Sequence, residues 1–151
     1  MADKNSEAID SIIIRILEPN EATVLDRVVP DVFDFEIDPK SRAEFFADSR
    51  HHLAVAFAGD WVVGMASALH YVHPDKPNEF WINEVGVAPA YQRRGIGKQL
   101  LNKLFDRARE LGCREAWVLT EEENSAARGL YAAVGGAEEL VVYVTFDLES
   151  G

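Results

Sequence analysis

Hydrophobic and polar positions alternate in two different rhythms along this chain, and the change between them marks out its elements. Near the start, Ile12-Ile13-Ile14-Arg15-Ile16-Leu17 is β-branched and almost wholly apolar, which predicts a strand. Asn20 can cap a helix running to Val29, with Pro30 as its stop. From 31 to 38 acids alternate with apolar residues, but the stretch lies between Pro30 and Pro39 and is assigned to a loop. Pro39 opens a short helix with Ala43, Phe45 and Phe46 on its apolar face. Residues 52–58 and 61–70 read as strands joined at Gly59-Asp60, and a turn over 75–78 leads to a third strand, 79–87, ended by Pro89.

From Gly97 the rhythm becomes helical. Leu100, Leu101, Leu104, Phe105, Ala108 and Leu111 share one side, with Lys103, Asp106, Arg107 and Glu110 opposite, and Gly112 as the stop. Residues 115–120 predict a buried strand. Asn124 or Ser125 caps a further helix with Ala127, Leu130, Tyr131 and Val134 inward, closed by Gly135-Gly136, and 140–148 predicts a last strand. Residues 1–10 are polar and expected to be loose. Without repeats or linkers, 1–151 is expected to form one α/β (or α+β) domain, a mixed sheet of about six strands flanked by about four helices.

Composition narrows the function. Nearly half of the 151 residues are apolar, enough for a real core, and no run approaches the roughly 20 apolar residues a membrane helix needs. A formal charge of -11 argues against nucleic acid as partner and favours cationic ligands, if the acids gather at a site. Cys113 is the single cysteine, no Cys/His cluster has metal-ligand spacing, and the amino terminus has no secretory pattern, so a cytoplasmic, metal-free protein is expected.

The candidate chemistry starts at Gln92-Arg93-Arg94-Gly95-Ile96-Gly97-Lys98, between a strand and a helix. The first amides of a helix have no internal partner and the dipole adds positive potential there, while glycines let the backbone approach an oxygen-rich ligand. Arg93, Arg94 and Lys98 add cations, and the expected ligand is a pyrophosphate. A Walker loop would need Gly where Gln92 stands and Ser or Thr where Gln99 stands; a dinucleotide fingerprint would need Gly in place of Leu100.

The run from Val85 through Gly86, Val87, Pro89 and Gln92 to Leu101 resembles the acetyl-CoA motif of the GCN5-related N-acetyltransferase (GNAT) superfamily. Asn124-Ser125-Ala126-Ala127-Arg128-Gly129-Leu130-Tyr131 resembles its second motif. The resemblance implies that the amides over 93–98 bind the pyrophosphate of acetyl-CoA, that the backbone of Val85 and Val87 pairs with the pantetheine arm where two parallel strands splay, and that Asn124 contacts that arm. Gly86 is expected to mark a bulge at the splay. Tyr131 would stand near the sulfur and donate a proton, or a hydrogen bond, to the leaving thiolate. The family's aromatic residue after the glycine that ends this helix is replaced by Gly136.

The resemblance implies direct transfer, for which the acceptor ammonium would have to lose a proton, and Glu84 is the candidate base, with Asn83 and Glu79 as alternatives and His70 and His73 as candidates for a proton relay. Tyr71 to Asp75, 82–87 and the short carboxyl-terminal end look like the class I aminoglycoside 3-N-acetyltransferases. The candidate cation-binding residues are Asp31, Asp34 and Glu36, with Asp38 beside them, Tyr71, Glu84, and Glu121, Glu122 and Glu123. The expected acceptor is a cationic small-molecule amine, an aminoglycoside at its 3-amino group. A polyamine, amino acid or protein amine is the alternative, and a non-catalytic acyl-CoA-binding module the third. The sheet edge left by a single strand after the last helix implies a homodimer.

Overall fold

The computed structural model describes residues 11–149; the expectation for residues 1–10 lies outside them. Five strands form one sheet in the order β1 (Ile12–Ile16), β2 (His51–Ala58), β3 (Trp61–Tyr71), β4 (Glu79–Val87) and β5 (Ala116–Val118). The first four pair antiparallel and β5 joins β4 in parallel. The α-helices are α1 (Pro39–Ala47), α2 (Ile96–Glu110) and α3 (Ser125–Ala133). This is the expected mixed α/β architecture, with one strand and one helix fewer among the described residues.

Both losses have physical causes. The helix expected from Asn20 to Val29 is a 3-10 turn, Ala22–Asp26. Val28 bridges Val62, while the Val29 N–H donates to the Val62 carbonyl and the Val62 N–H to the Arg27 carbonyl, so the sheet captures the backbone that a longer helix would need. Residues 140–148 belong to no strand, because they lie away from the sheet with their side chains in solvent.

The sheet is covered on both faces. Ala54, Ala56, Ala66 and Ala68 keep one face shallow, and Leu100, Leu101 and Leu104 of α2 seat there beside Phe80 and Ile82. On the other face Leu53, Val55, Val62 and Met65 pack against Leu17, Leu25 and Val32 from the segment before β2. β2 and β3 are therefore buried nearly throughout instead of alternating. On the α2 side His52 Nε2 and His70 Nδ1 lie 2.8 Å apart, both buried, and the His52 ring stacks on Phe80. Burial pushes His52 down to about 4 and lowers His70 as well, so both are neutral at physiological pH.

Candidate active site

β4 and β5 pair only from Phe80–Ala116 to Ile82–Val118. Beyond Ile82, β4 continues to Val87 without β5 beside it, so the two parallel strands part. The irregularity that accompanies the splay is at Asn83, not at Gly86 as expected. Ser67 faces Glu84 while Ala68 faces Ile82, which leaves Asn83 as the extra residue of a bulge. Two consecutive side chains, Asn83 and Glu84, consequently reach the same pocket. Gly86 has a different task. A Cβ there would stand 2.1 Å from the Val32 carbonyl oxygen, so only glycine admits the loop preceding α1 against β4.

The chain then turns into α2. Arg93 and Gly95 both adopt left-handed conformations, φ 62° and 77°. Alternating left-handed residues turn successive amides inward into an anion-binding concavity. The first intrahelical bond after this turn is from the Gln99 N–H to the Gly95 carbonyl, which leaves the amides of Ile96, Gly97 and Lys98 ahead of it without an α-helical acceptor. Ile96 is buried and anchors the turn, whereas Arg93, Arg94, Gly95 and Lys98 are exposed. The Arg94 guanidinium lies over the Tyr91 ring, and among the described residues none of Arg93, Arg94 and Lys98 is in an ion pair. Gln92 Nε2 donates to the Val87 carbonyl at 2.9 Å, so a ligand arm pairing there shares that oxygen. This backbone-lined turn at the mouth of a strand splay fits a pyrophosphate with an extended arm.

α3 lies on the same side of the sheet as α2. Asn124 caps it, its Oδ1 accepting from the Ala127 N–H at 3.1 Å, which leaves its Nδ2 to donate to a ligand. Tyr131 is half-buried against the α2-side core, and burial raises its phenol above the ordinary range, keeping it a proton donor at neutral pH. The helix ends with Gly135 N–H on the Ala132 carbonyl and Gly136 N–H on the Tyr131 carbonyl. A Cβ at 136 would come within 2.9 Å of that Tyr131 oxygen, which accounts for glycine in place of an aromatic residue.

On the opposite face a pocket of about 430 Å³ is lined by Phe33, Asp34, Phe35, Glu36, Ile37 and Asp38 of the loop, Phe45 and Phe46 of α1, and Ser67, Asn83 and Glu84 of the sheet. The acid–aromatic alternation thus builds one wall of a cavity. Asp38 is committed to capping α1 through the Ser41 N–H, and Arg42 at the rim is neutralised by Asp26 at 2.6 Å. Asp34, Glu36 and Glu84 are exposed to the pocket and form no ion pair among the described residues.

Other expected site residues are not brought here. Asp31 is exposed outside the pocket, in a left-handed turn. Tyr71 stacks on Trp81 and Trp117 beyond the pocket lining. Glu121, Glu122 and Glu123 follow β5 in solvent, where the Glu122 carbonyl accepts from Arg128. Glu79 pairs with His73, and His70 faces the α2 side with His52, so neither histidine sits beside Glu84. The phenylalanines at 33, 35, 45 and 46 were absent from the sequence-based site, although the alternation over 31–38 is their signature.

A mixed sheet with its parallel strands parted over a helix start is the fold of an acetyltransferase. The chain belongs to the acetyltransferase (GNAT) family, whose model matches residues 18–135 and whose acyl donor is acetyl-CoA. It is 36% identical over 101 residues to the N-alpha-acetyltransferase RimI of Mycobacterium tuberculosis, covering 65% of this chain and 61% of that one. It is 32% identical over 88 residues to the L-2,4-diaminobutyric acid acetyltransferase of Shouchella clausii, covering 58% of this chain and 47% of that protein. The chain thus spans less than two thirds of these relatives. Among solved structures, the aminoglycoside acetyltransferase meta-AAC0020 from an uncultured soil metagenomic sample, in complex with trehalose, superposes with a TM-score of 0.81 at 21% identity, over 91% of this chain and 96% of that one. AAC(6')-Iy in complex with a bisubstrate analogue, CoA-S-monomethyl-acetylneamine, gives 0.76 at 21% identity, over 91% and 99%. At such identities the likeness is one of fold.

Proposed function

We propose that the chain is a single-domain, cytoplasmic N-acetyltransferase that moves the acetyl group of acetyl-CoA to an amine of a cationic small molecule of the aminoglycoside class. The observation that supports this is the pocket in which Asp34, Glu36 and Glu84 converge at the splay. Carboxylates there attract and hold an ammonium, and the titratable one nearest the parted strands takes its proton. The working form is a homodimer, a reading supported by the outer edge of β5, which no strand covers among the described residues.

The division of labour follows from position. The amides over 93–98, with Arg93, Arg94 and Lys98, hold the pyrophosphate, and the Val85 and Val87 backbone with Asn124 guides the arm. When bound, acetyl-CoA supplies the acetyl group as a thioester. Glu84 accepts the proton of the ammonium, directly or through water, so that the nitrogen lone pair is free to attack. Tyr131 donates to the departing sulfur as the C–S bond breaks.

A second reading is favoured by Phe33, Phe45 and Phe46, which give the pocket an apolar lining suited to a peptide terminus, and by the identity to RimI. Thiol release from acetyl-CoA, measured with a gentamicin-type aminoglycoside, spermidine and peptides bearing a free α-amine, separates the readings. The aminoglycoside is expected to turn over fastest, with acetylation at its 3-amino group by NMR of the product. Faster turnover of peptides establishes the second reading, and CoA binding without any turnover removes catalysis altogether.

A further inference from the structure

The acceptor face of the sheet does not end at Glu84. Leu53, Ser67 and Glu84, which line the pocket, face one another in register across β2, β3 and β4. The next row on that face is His51, Leu69, Trp81 and Trp117, again in register and now reaching β5. Two residues along β2 and β3 separate the rows, roughly 7 Å, the scale of one saturated six-membered ring. An aromatic wall joins them, because Phe45 of the pocket stacks on His51 at 4.9 Å.

Trp81 and Trp117 stack at 5.0 Å, and Tyr71 completes the cluster at 6.1 and 6.5 Å from them. All three rings are half-buried, and none is among the residues that pack on the core of either face. Neither indole N–H nor the Tyr71 hydroxyl forms a hydrogen bond among the described residues, and none of these atoms is shut away from solvent. A cluster serving stability alone would bury its rings or pair their polar ends. An open aromatic surface with its donors free suits a ligand that has an apolar face and a polar rim.

The charges beside the cluster narrow that ligand. Asp34, Glu36 and Glu84 stand at one end, and Glu79, opposite Tyr71 on β4 and paired with His73, stands at the other. A hydroxylated ring bearing ammonium groups meets both demands. Its C–H face lies on the rings, its ammonium groups are drawn to the π-systems and the acids, and its hydroxyls accept from the indole N–H groups. We infer that Tyr71, Trp81 and Trp117 form a second acceptor subsite, holding an aminosugar ring one or more glycosidic bonds from the ring that is acetylated. The inference rests on the reading that the acceptor is of the aminoglycoside class, and adds that the site selects among such amines by their number of rings.

The test compares gentamicin with 2-deoxystreptamine, its central ring alone. Wild type is expected to favour gentamicin in kcat/KM, and Trp81→Ala with Trp117→Ala to cut that advantage about tenfold. An advantage equal in the two proteins overturns the subsite. Where the double variant does not fold, the wild type decides by NMR. With isotope-labelled indoles and CoA bound, gentamicin is expected to shift the Trp81 and Trp117 N–H signals but not that of Trp61, the third tryptophan, at the far end of β3. 2-Deoxystreptamine should leave all three in place. Signals that stay put with gentamicin, or that move only with a peptide bearing a free α-amine, overturn the inference. If gentamicin shifts the two indoles yet is never acetylated, the reading of the reaction fails while an aminosugar site on these rings stands.

Discussion

The two halves of the candidate active site are built by different means. The donor half, from Val85 to Lys98, is one continuous stretch whose instruments are backbone groups: a strand edge, two left-handed residues and the leading amides of α2. The acceptor half is an assembly of side chains from the 33–38 loop, α1, β3 and β4. A backbone site tolerates change at most side chains but not at the few positions that set its φ and ψ. A side-chain site has the reverse sensitivity, because each residue contributes separately and modestly. The halves meet at Gly86, which belongs to β4 by sequence yet admits the Val32 carbonyl of the acceptor loop.

Gly86 is therefore where one substitution disrupts both. Gly86→Val places carbon where the Val32 oxygen now sits and must drive the loop off the sheet. Overpacking of this kind costs about 3 kcal/mol, which for a domain of this size lowers the melting temperature by roughly 10 °C. Differential scanning fluorimetry and steady-state kinetics are expected to show that fall, with activity against every amine abolished. A variant with wild-type melting and kinetics would mean that the loop is not seated on Gly86.

Glu84→Gln tests the point at which the acceptor half touches the chemistry. Loss of a positioned general base lowers turnover by roughly a hundredfold or more, while CoA affinity, set by the other half, stays unchanged. The deficit should be greatest at low pH, where the amine is most fully protonated and depends most on the base. A turnover number and pH–rate profile like those of the wild type would assign proton removal to solvent. Tyr131→Phe is expected to slow acetyl transfer roughly a hundredfold in a single turnover, and an unaltered rate would return Tyr131 to a packing role.

How much of this was legible in the sequence divides along the same line. The donor half lies within 14 consecutive residues, 85–98, so its glycine and arginine spacing is visible without tertiary information. The acceptor half required knowing that Gly86 receives Val32 and that the bulge at Asn83 turns two neighbouring side chains the same way. Neither is a local property. The alternation at 31–38 announced an amphipathic wall, but not which residues would face it, so Asp31 and Glu121 to Glu123 were grouped with acids they do not join. The helix expected over 20–29 failed for the same reason, since capping chemistry near Asn20 could not reveal that Val62 would capture the backbone at Val28.

Gly95→Val sharpens the contrast from the donor side. At φ 77° a β-branched residue is strained, and a penalty of about 1–2 kcal/mol corresponds to roughly a tenfold rise in KM for acetyl-CoA. The KM for the amine should not move. A shift in both constants would show that the halves are coupled through α2 rather than joined only at Gly86.

The smallest effect is expected from the carboxylates that give the acceptor pocket its charge. Asp34 and Glu36 are solvated, so Asp34→Asn with Glu36→Gln should weaken amine binding by only about two- to fivefold, in the range of single exposed charge pairs. Ionic strength decides what that small number means. Attraction between exposed charges is screened over about 8–10 Å at physiological salt, so the wild-type amine KM should rise with added salt and that dependence should flatten in the double variant. If the KM is indifferent to salt in both proteins but rises in Phe33→Ala or Phe45→Ala, the pocket selects by its aromatic wall, and the acceptor is then an amine carried on an apolar body such as a peptide terminus rather than a polycation.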